Sequence, residues 1–271
     1  MRVGVIGVGS IGRYLVGSIR AGQAGAARVI GLAARPGSEA RLAEVAASVA
    51  CPWTTDALAL VAEKPDIVVE AASQAAVRQY AVPLLEAGVD VLVMSGGALA
   101  DPALMARIAQ AAEANGRRVH VPAGAIGGLD VLRAAALAGL DEVTLVTSKA
   151  PPALAGAPFF ATHPVDLDAI RERTVIFEGS AAEAVRLFPA NVNVSAALSL
   201  AGIGTERTRM QVVADPTLDR NVHEVFARGA FGEMRLRVAN VPSPTNPKTS
   251  FLACLSAVAT LRRLAGSVQI G

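Results

Sequence analysis

The first half of this 271-residue chain alternates short, wholly apolar runs with longer stretches whose apolar positions recur every three or four residues. That alternation is the mark of buried strands, each followed by an amphipathic helix. Val3 to Ile6 carry the first run and a glycine turn follows it. Arg13 to Arg20 then carry the helical pattern, and Gly22 closes that helix. Further strands are predicted at 28–35, 67–73, 89–94 and 118–122. Helices are predicted from a Ser38 cap to about Val49, over 56–63, from about Ala75 to Ala87 before Gly88, and from the Asp101-Pro102 cap to Asn115-Gly116. This rhythm implies a doubly wound parallel sheet with helices on both faces.

Past Pro122 the pattern changes. A glycine-rich crossing, Ala123 to Asp130, feeds a helix to about Ala138. Strands at 142–148 and 174–178 are then mixed with a proline-rich loop (151–164) and short helices: 167–173, one behind the Ser180-x-x-Glu183 capping box, and one from about 191 to 202. Three runs with the two-residue period of strands, at 208–214, 221–227 and 233–241, predict an antiparallel sheet. Asn246 to Ser250 is expected to open a long apolar helix over 251–264. The domain boundary falls at 124. Residues 1–124 form the first domain, with 246–271 packing back on it, and 125–245 form an α+β domain with a largely antiparallel sheet.

The turn after the first strand is Gly7-x-Gly9-x-x-Gly12, which adds chemistry to this frame. Gly7 permits the tight turn, Gly9 lets the backbone approach a pyrophosphate, and Gly12 lets the helix pack closely on the strand. Ser10, Ile11 and Gly12 open the helix, whose first N–H groups have no partner within it and face an anion. The placement predicts a Rossmann-type, dinucleotide-binding α/β domain. The second strand ends at Arg35, where an NAD-only site usually carries an acid; a guanidinium there stacks on adenine and pairs with a 2′-phosphate, so NAD or NADP is expected. The exit Ala71-Ala72-Ser73 is a small-residue floor for the nicotinamide ribose. Glu70 beside it suits either a site role or a carboxylate satisfied by nearby backbone N–H groups.

Charge narrows the partners. Lysine plus arginine (25) nearly balances aspartate plus glutamate (23), and the arginines are spread along the chain, so no nucleic-acid partner is expected. No uncharged apolar run approaches the ~18 residues of a membrane span, and no signal-peptide pattern precedes the first strand. A soluble, cytoplasmic protein without a membrane partner is the expectation. Cys51 and Cys254 lack metal-type spacing and read as buried thiols, and no metal site is expected.

The sequence resembles the L-aspartate dehydrogenases of NAD biosynthesis. The resemblance runs from end to end and is carried by Gly7-Val-Gly-Ser-Ile-Gly12, Gly124-Ala-Ile-Gly-Gly-Leu-Asp130, Leu187-Phe-Pro-Ala-Asn-Val-Asn-Val-Ser195, Asn221-Val-His-Glu224 and Asn246-Pro-Lys-Thr-Ser250. It implies NAD(P)-dependent oxidation of L-aspartate to iminoaspartate, which hydrolyses to oxaloacetate and ammonia or passes to quinolinate synthesis. It also implies that His223 is catalytic and that Ala125 and Asn191 touch the cofactor. On residues alone, His223 shares a strand face with Val225 and Ala227, a position open to either a base or a packed ring. His120 and His163 read as packing or surface residues. A substrate with two carboxylates needs cations or oriented donors; Lys248 at the expected helix start is the first choice, with Asn193, Ser195 and Thr249 as further polar candidates. A homodimer through the second domain's sheet is expected. The architecture is shared with reductases of the homoserine dehydrogenase and dihydrodipicolinate reductase kind, and a dinucleotide sensor without activity is the alternative from another class.

Overall fold

In the structure, a computed structural model describing residues 1–188, 192–243 and 246–270 (without the side chains of 192 and 246–248), the chain divides into two units. One is Met1–Pro122 with Cys254–Gly271; the other is Ala123–Ala253.

The first unit runs β1 (Arg2–Ile6), α1 (Ser10–Arg20), β2 (Arg28–Ala33), α2 (Glu39–Val49), β3 (Trp53–Thr54), β4 (Ile67–Glu70), α3 (Gln74–Glu86), β5 (Asp90–Val93), α4 (Pro102–Ala114) and β6 (Val119–His120). Its strands pair in parallel in the order β3-β2-β1-β4-β5-β6, which reverses between β1 and β4. The central strands are apolar on both faces because both faces are covered. Val3, Val5 and Val69 pack with Leu15, Val16 and Ile19 of α1 and with Ala257, Val258 and Leu261 near the C-terminus. Ile6 and Val68 pack with Val77, Leu84 and Ile108 on the other side. Each large side chain buried in full contributes roughly 1.5–3 kcal/mol.

Local signals hold with exceptions here. Asp101 caps α4 by accepting from the N–H groups of Ala103 and Leu104. The stretch after Asp56 is a 3-10 helix, Ala57–Glu63, capped by that aspartate through the Leu58 N–H. Ser38 makes no capping bond with its side chain. Instead the Glu39 carboxylate accepts from the Gly37 N–H, closing the turn one residue earlier.

The second unit runs α5 (Leu129–Ala136), β7 (Leu140–Lys149), α6 (Phe159–Thr162), β8 (Thr174–Ser180), α7 (Ala181–Leu187), α8 (Val192–Ala201), β9 (Arg209–Ala214), β10 (Asn221–Gly229), β11 (Gly232–Asn240), β12 (Pro242–Ser243) and β13 (Asn246–Ser250), before α9 (Phe251–Ala265). Five strands form one sheet in the order β11-β10-β7-β9-β8. The sheet is mixed: β7 and β9 run parallel, while the other pairs are antiparallel. The long path between β7 and β9, which includes α7 and α8, gives the chain room to return in the same direction. One face carries Val143, Leu145, Val212, Ala214, Val225 and Ala227 and packs on Leu132, Ala184 and Leu198 of the helices. The other face carries Thr144, Val146, Glu224 and Phe226 with exposed Arg235 and Arg237.

Two expected helices are corrected. Of 167–173 only the 3-10 turn Leu167–Ala169 is helical, because the Asp166 carboxylate takes the Asp168 and Ala169 N–H groups and holds a turn in place of a propagating helix. Asn246–Ser250 is a strand paired with β12, not a helix start. Pro247 lacks an N–H, which a first helical turn and a two-stranded ribbon both tolerate, so the local signal does not choose between them.

Candidate active site

The glycine turn sits at the switch point between β1 and β4, at the carboxyl ends of the strands. Gly7 has a φ of 100°, and a Cβ there would lie 2.6 Å from the Ala71 carbonyl oxygen. At Gly12 a Cβ would overlap the Gly7 carbonyl, so helix and turn touch backbone to backbone. Gly9 is different: a Cβ there would meet nothing, and the space lies in a cleft of about 620 Å3. Gly9 at the N-cap has no side chain to cap α1, and the first turn holds no acid, so the positive end of the helix dipole faces this space without a carboxylate of its own turn. A dinucleotide fits this site: the missing side chain at Gly9 is the room a pyrophosphate needs.

Ala72, Ser73 and Arg35 line the same cleft. Ser73 caps α3 by accepting from the Ala76 N–H. Buried Glu70 is satisfied within the fold, accepting from the N–H groups of Ala72, Ser73 and Ser95 and from the Ser95 hydroxyl. Burial pushes its carboxyl above the ordinary range in spite of these bonds. It ties the β4–α3 turn to the β5 exit and so shapes the cleft floor. Arg41, in the first turn of α2, lines the cleft as well and adds a second cation beside Arg35; the sequence reading did not single it out.

In the second unit His223 is 4% exposed on β10, opposite Thr147 of β7. Its Nδ1 lies 3.0 Å from the Thr147 Oγ1, which fixes the ring and leaves Nε2 as the other face of the imidazole. Burial first, and the charge of Lys149 second, push His223 down to about 4, so the ring is neutral at pH 7. Lys149, two residues beyond Thr147 on the same face, is 5% exposed, and burial lowers it to about 8. Sequence reasoning missed Lys149: the predicted strand stopped at Ser148, though continuing its alternation by one step would have placed the lysine on the inward face. On β11, Asn240 donates from Nδ2 to the Ala125 carbonyl at 3.0 Å and so positions that residue. His120 lies 3.9 Å from Asp90, and His163 stacks on Phe159; both serve packing.

The remaining candidates are scattered by element. Asn193 is exposed and Ser195 buried on α8. Lys248 and Thr249 lie on strand β13 rather than a helix, with Thr249 half-buried and the Lys248 side chain outside the described residues. Asn191 is outside them altogether.

A strand order that reverses at a glycine turn with space for a pyrophosphate is that of the nicotinamide-dinucleotide-dependent oxidoreductases. Two sequence families match the chain in turn: "Homoserine dehydrogenase, NAD binding domain" over residues 7–122 and "Aspartate dehydrogenase, C-terminal" over residues 130–264. The L-aspartate dehydrogenases of Methanosarcina acetivorans and Methanosarcina barkeri are 44% and 46% identical to the chain, with 100% of it and 99% of each relative covered. The crystal structure of aspartate dehydrogenase from Thermotoga maritima matches with a TM-score of 0.78 at 29% identity, over 100% of this chain and 99% of that one. A homoserine dehydrogenase from Thiobacillus denitrificans, 17% identical with a TM-score of 0.61 over 98% of this chain and 74% of that one, shares the fold alone. The chain belongs to the L-aspartate dehydrogenase family, whose members oxidise L-aspartate with NAD or NADP.

Proposed function

We propose that His223 is the base with which this chain oxidises L-aspartate to iminoaspartate, the imine hydrolysing to oxaloacetate and ammonia or entering pyridine-nucleotide synthesis. The observation that carries this reading is the buried, neutral imidazole, gripped at Nδ1 by Thr147 and, among the described residues, with no hydrogen bond at Nε2. Cα gives up a hydride only when the nitrogen lone pair is free to form the C=N bond, so the substrate ammonium must first lose a proton. Nε2 takes it, and the resulting imidazolium returns to the neutral form by releasing the proton to solvent water. The neutral ring then takes a proton from the water that attacks the imine. Bound NAD or NADP supplies the acceptor for the hydride.

In this reading Gly7, Gly9, Ser10, Ile11 and Gly12 hold the pyrophosphate. Ala72 and Ser73 lie under the nicotinamide ribose, and Arg35 holds the adenosine end. Ala125 and Asn191 complete the cofactor contacts, and Lys248, Asn193, Ser195 and Thr249 contribute to the substrate's polar surroundings. The enzyme acts in the cytoplasm as a homodimer formed through the uncovered face of the second sheet, where Arg235 lies 5.3 Å over the Phe226 ring. Among the described residues no helix is long and apolar enough to cross a membrane.

The test is reduction of NAD or NADP with L-aspartate, set against D-aspartate, glutamate and homoserine. His223→Ala should lower turnover by about 10²- to 10⁴-fold, the usual worth of general acid–base catalysis, with cofactor affinity unchanged. A variant that keeps its turnover, or that loses cofactor binding in place of chemistry, contradicts the assignment.

A further inference from the structure

The face of the second sheet that holds His223 is apolar along most of its length and polar at one end. There, β7 contributes Thr147 and Lys149, β10 contributes His223 and Asn221, and β11 contributes Asn240, paired with Asn221 in register. Residues paired across strands share a face, so these side chains form one group. None of them is an acid, and Glu224, next to His223 in sequence, points to the opposite face by alternation.

The group carries two unmet demands of opposite kinds. Lys149 is 5% exposed, and among the described residues no hydrogen bond or ion pair reaches its ammonium. Burial lowers its pKa to about 8, and among the described residues no carboxylate pairs with it to offset that burial. A buried cation without a counter-charge is destabilising unless a ligand supplies one. Asn240 presents the complementary need. Its Nδ2 is committed to the Ala125 carbonyl, which turns Oδ1 away, and that oxygen is buried with no donor among the described residues. A native fold rarely leaves such an acceptor empty.

A single ligand that answers both carries a carboxylate and an N–H. We infer that Lys149 is the anchor for one carboxylate of the amino-acid substrate, with the Asn240 Oδ1 accepting a hydrogen bond from its amino nitrogen. This rests on the reading of His223 given above and deepens it, since the same nitrogen is the one His223 must deprotonate. It also gives the lysine a reason to be buried: the counter-charge arrives with the substrate. Two carboxylates need two sets of contacts, and Lys149 provides one of them.

The experiment compares wild type, Lys149→Met and Lys149→Arg with two readouts: KM and kcat for L-aspartate, and the melting-temperature shift produced by succinate, a diacid that cannot react. Lys149→Met should fold, with a melting temperature at or above wild type, because a methionine fills the lysine's place without a charge. Its KM should rise roughly 10- to 100-fold, the worth of a charge-assisted hydrogen bond, and succinate should need a correspondingly higher concentration to give the same shift. Lys149→Arg should recover part of both. Unchanged KM and an unchanged succinate shift in Lys149→Met overturn the proposal, as does a fall in kcat alone. Should Lys149→Met fail to fold, a Lys149→Arg protein no better than Lys149→Gln in succinate binding overturns it equally. A wild type that binds succinate through Lys149 but does not oxidise L-aspartate would sink the activity and leave the anchor standing.

Discussion

Gly9 and Gly12 stand three residues apart in one turn, yet alanine should damage them in different ways. At Gly12 the added Cβ would overlap the Gly7 carbonyl oxygen and lie 2.9 Å from its carbon. Both obstacles are backbone and neither can rotate aside, so α1 must withdraw from β1. That withdrawal loosens Leu15, Val16 and Ile19, all buried against the sheet. Overpacking of a tight core costs up to about 3 kcal/mol, and at about 2–4 °C per kcal/mol the apoprotein should melt roughly 6–12 °C lower. At Gly9, with φ of −74°, an alanine meets no atom within 4 Å. Restricting the unfolded chain there should leave the melting temperature unchanged or raise stability by about 0.4–1 kcal/mol. The methyl group would instead occupy the cleft meant for the pyrophosphate, so NAD and NADP should bind about 10-fold or more weakly, a loss of about 1.4 kcal/mol. Thermal melts with and without cofactor, together with a fluorescence titration, separate the two effects. A Gly9→Ala protein with wild-type cofactor affinity would refute the placement of the dinucleotide. A Gly12→Ala protein that melts like wild type would refute the claim that helix and turn are in backbone contact.

Two further outcomes follow from the titrating and buried groups. The pH profile of kcat/KM for L-aspartate, which reports the free enzyme, should rise through about 4 as His223 becomes neutral and fall through about 8 as Lys149 loses its charge. Among the described residues Lys149 is the charged group that acts on His223, so Lys149→Met should abolish the falling limb near 8 and carry the rising limb to higher pH; a limb near 8 that persists in the variant would show that another group is titrating. Glu70→Ala should leave the N–H groups of Ala72, Ser73 and Ser95 and the Ser95 hydroxyl without their acceptor, costing about 3–5 kcal/mol in chemical denaturation and weakening cofactor binding, whereas unaltered stability would mean that water replaces the carboxylate without penalty.

What could be read along the chain and what could not divide by the range of the interactions. The β1–turn–α1 unit, the Asp101-Pro102 start and the Ser180–Glu183 capping box are settled by atoms a few residues apart, and the structure has each of them. The parallel pairing of β7 with β9 is not local, and strand alternation is the same whichever way a neighbour runs, so the periodicity at 208–214 could not reveal it. Asn246–Ser250 failed for a related reason: its proline suits two structures, and only pairing with β12 decides. Lys149 is the most instructive case. A lysine at a strand end reads as solvated, because a buried ammonium without a partner is unfavourable in any fold considered alone. The register that sets Thr147 opposite His223 is what puts the lysine on the covered face, and it joins residues 76 positions apart. A rule that judges each residue by the stability of the empty protein will therefore misplace the groups a substrate completes, since their unmet charges and acceptors make sense only when the ligand is counted as part of the fold.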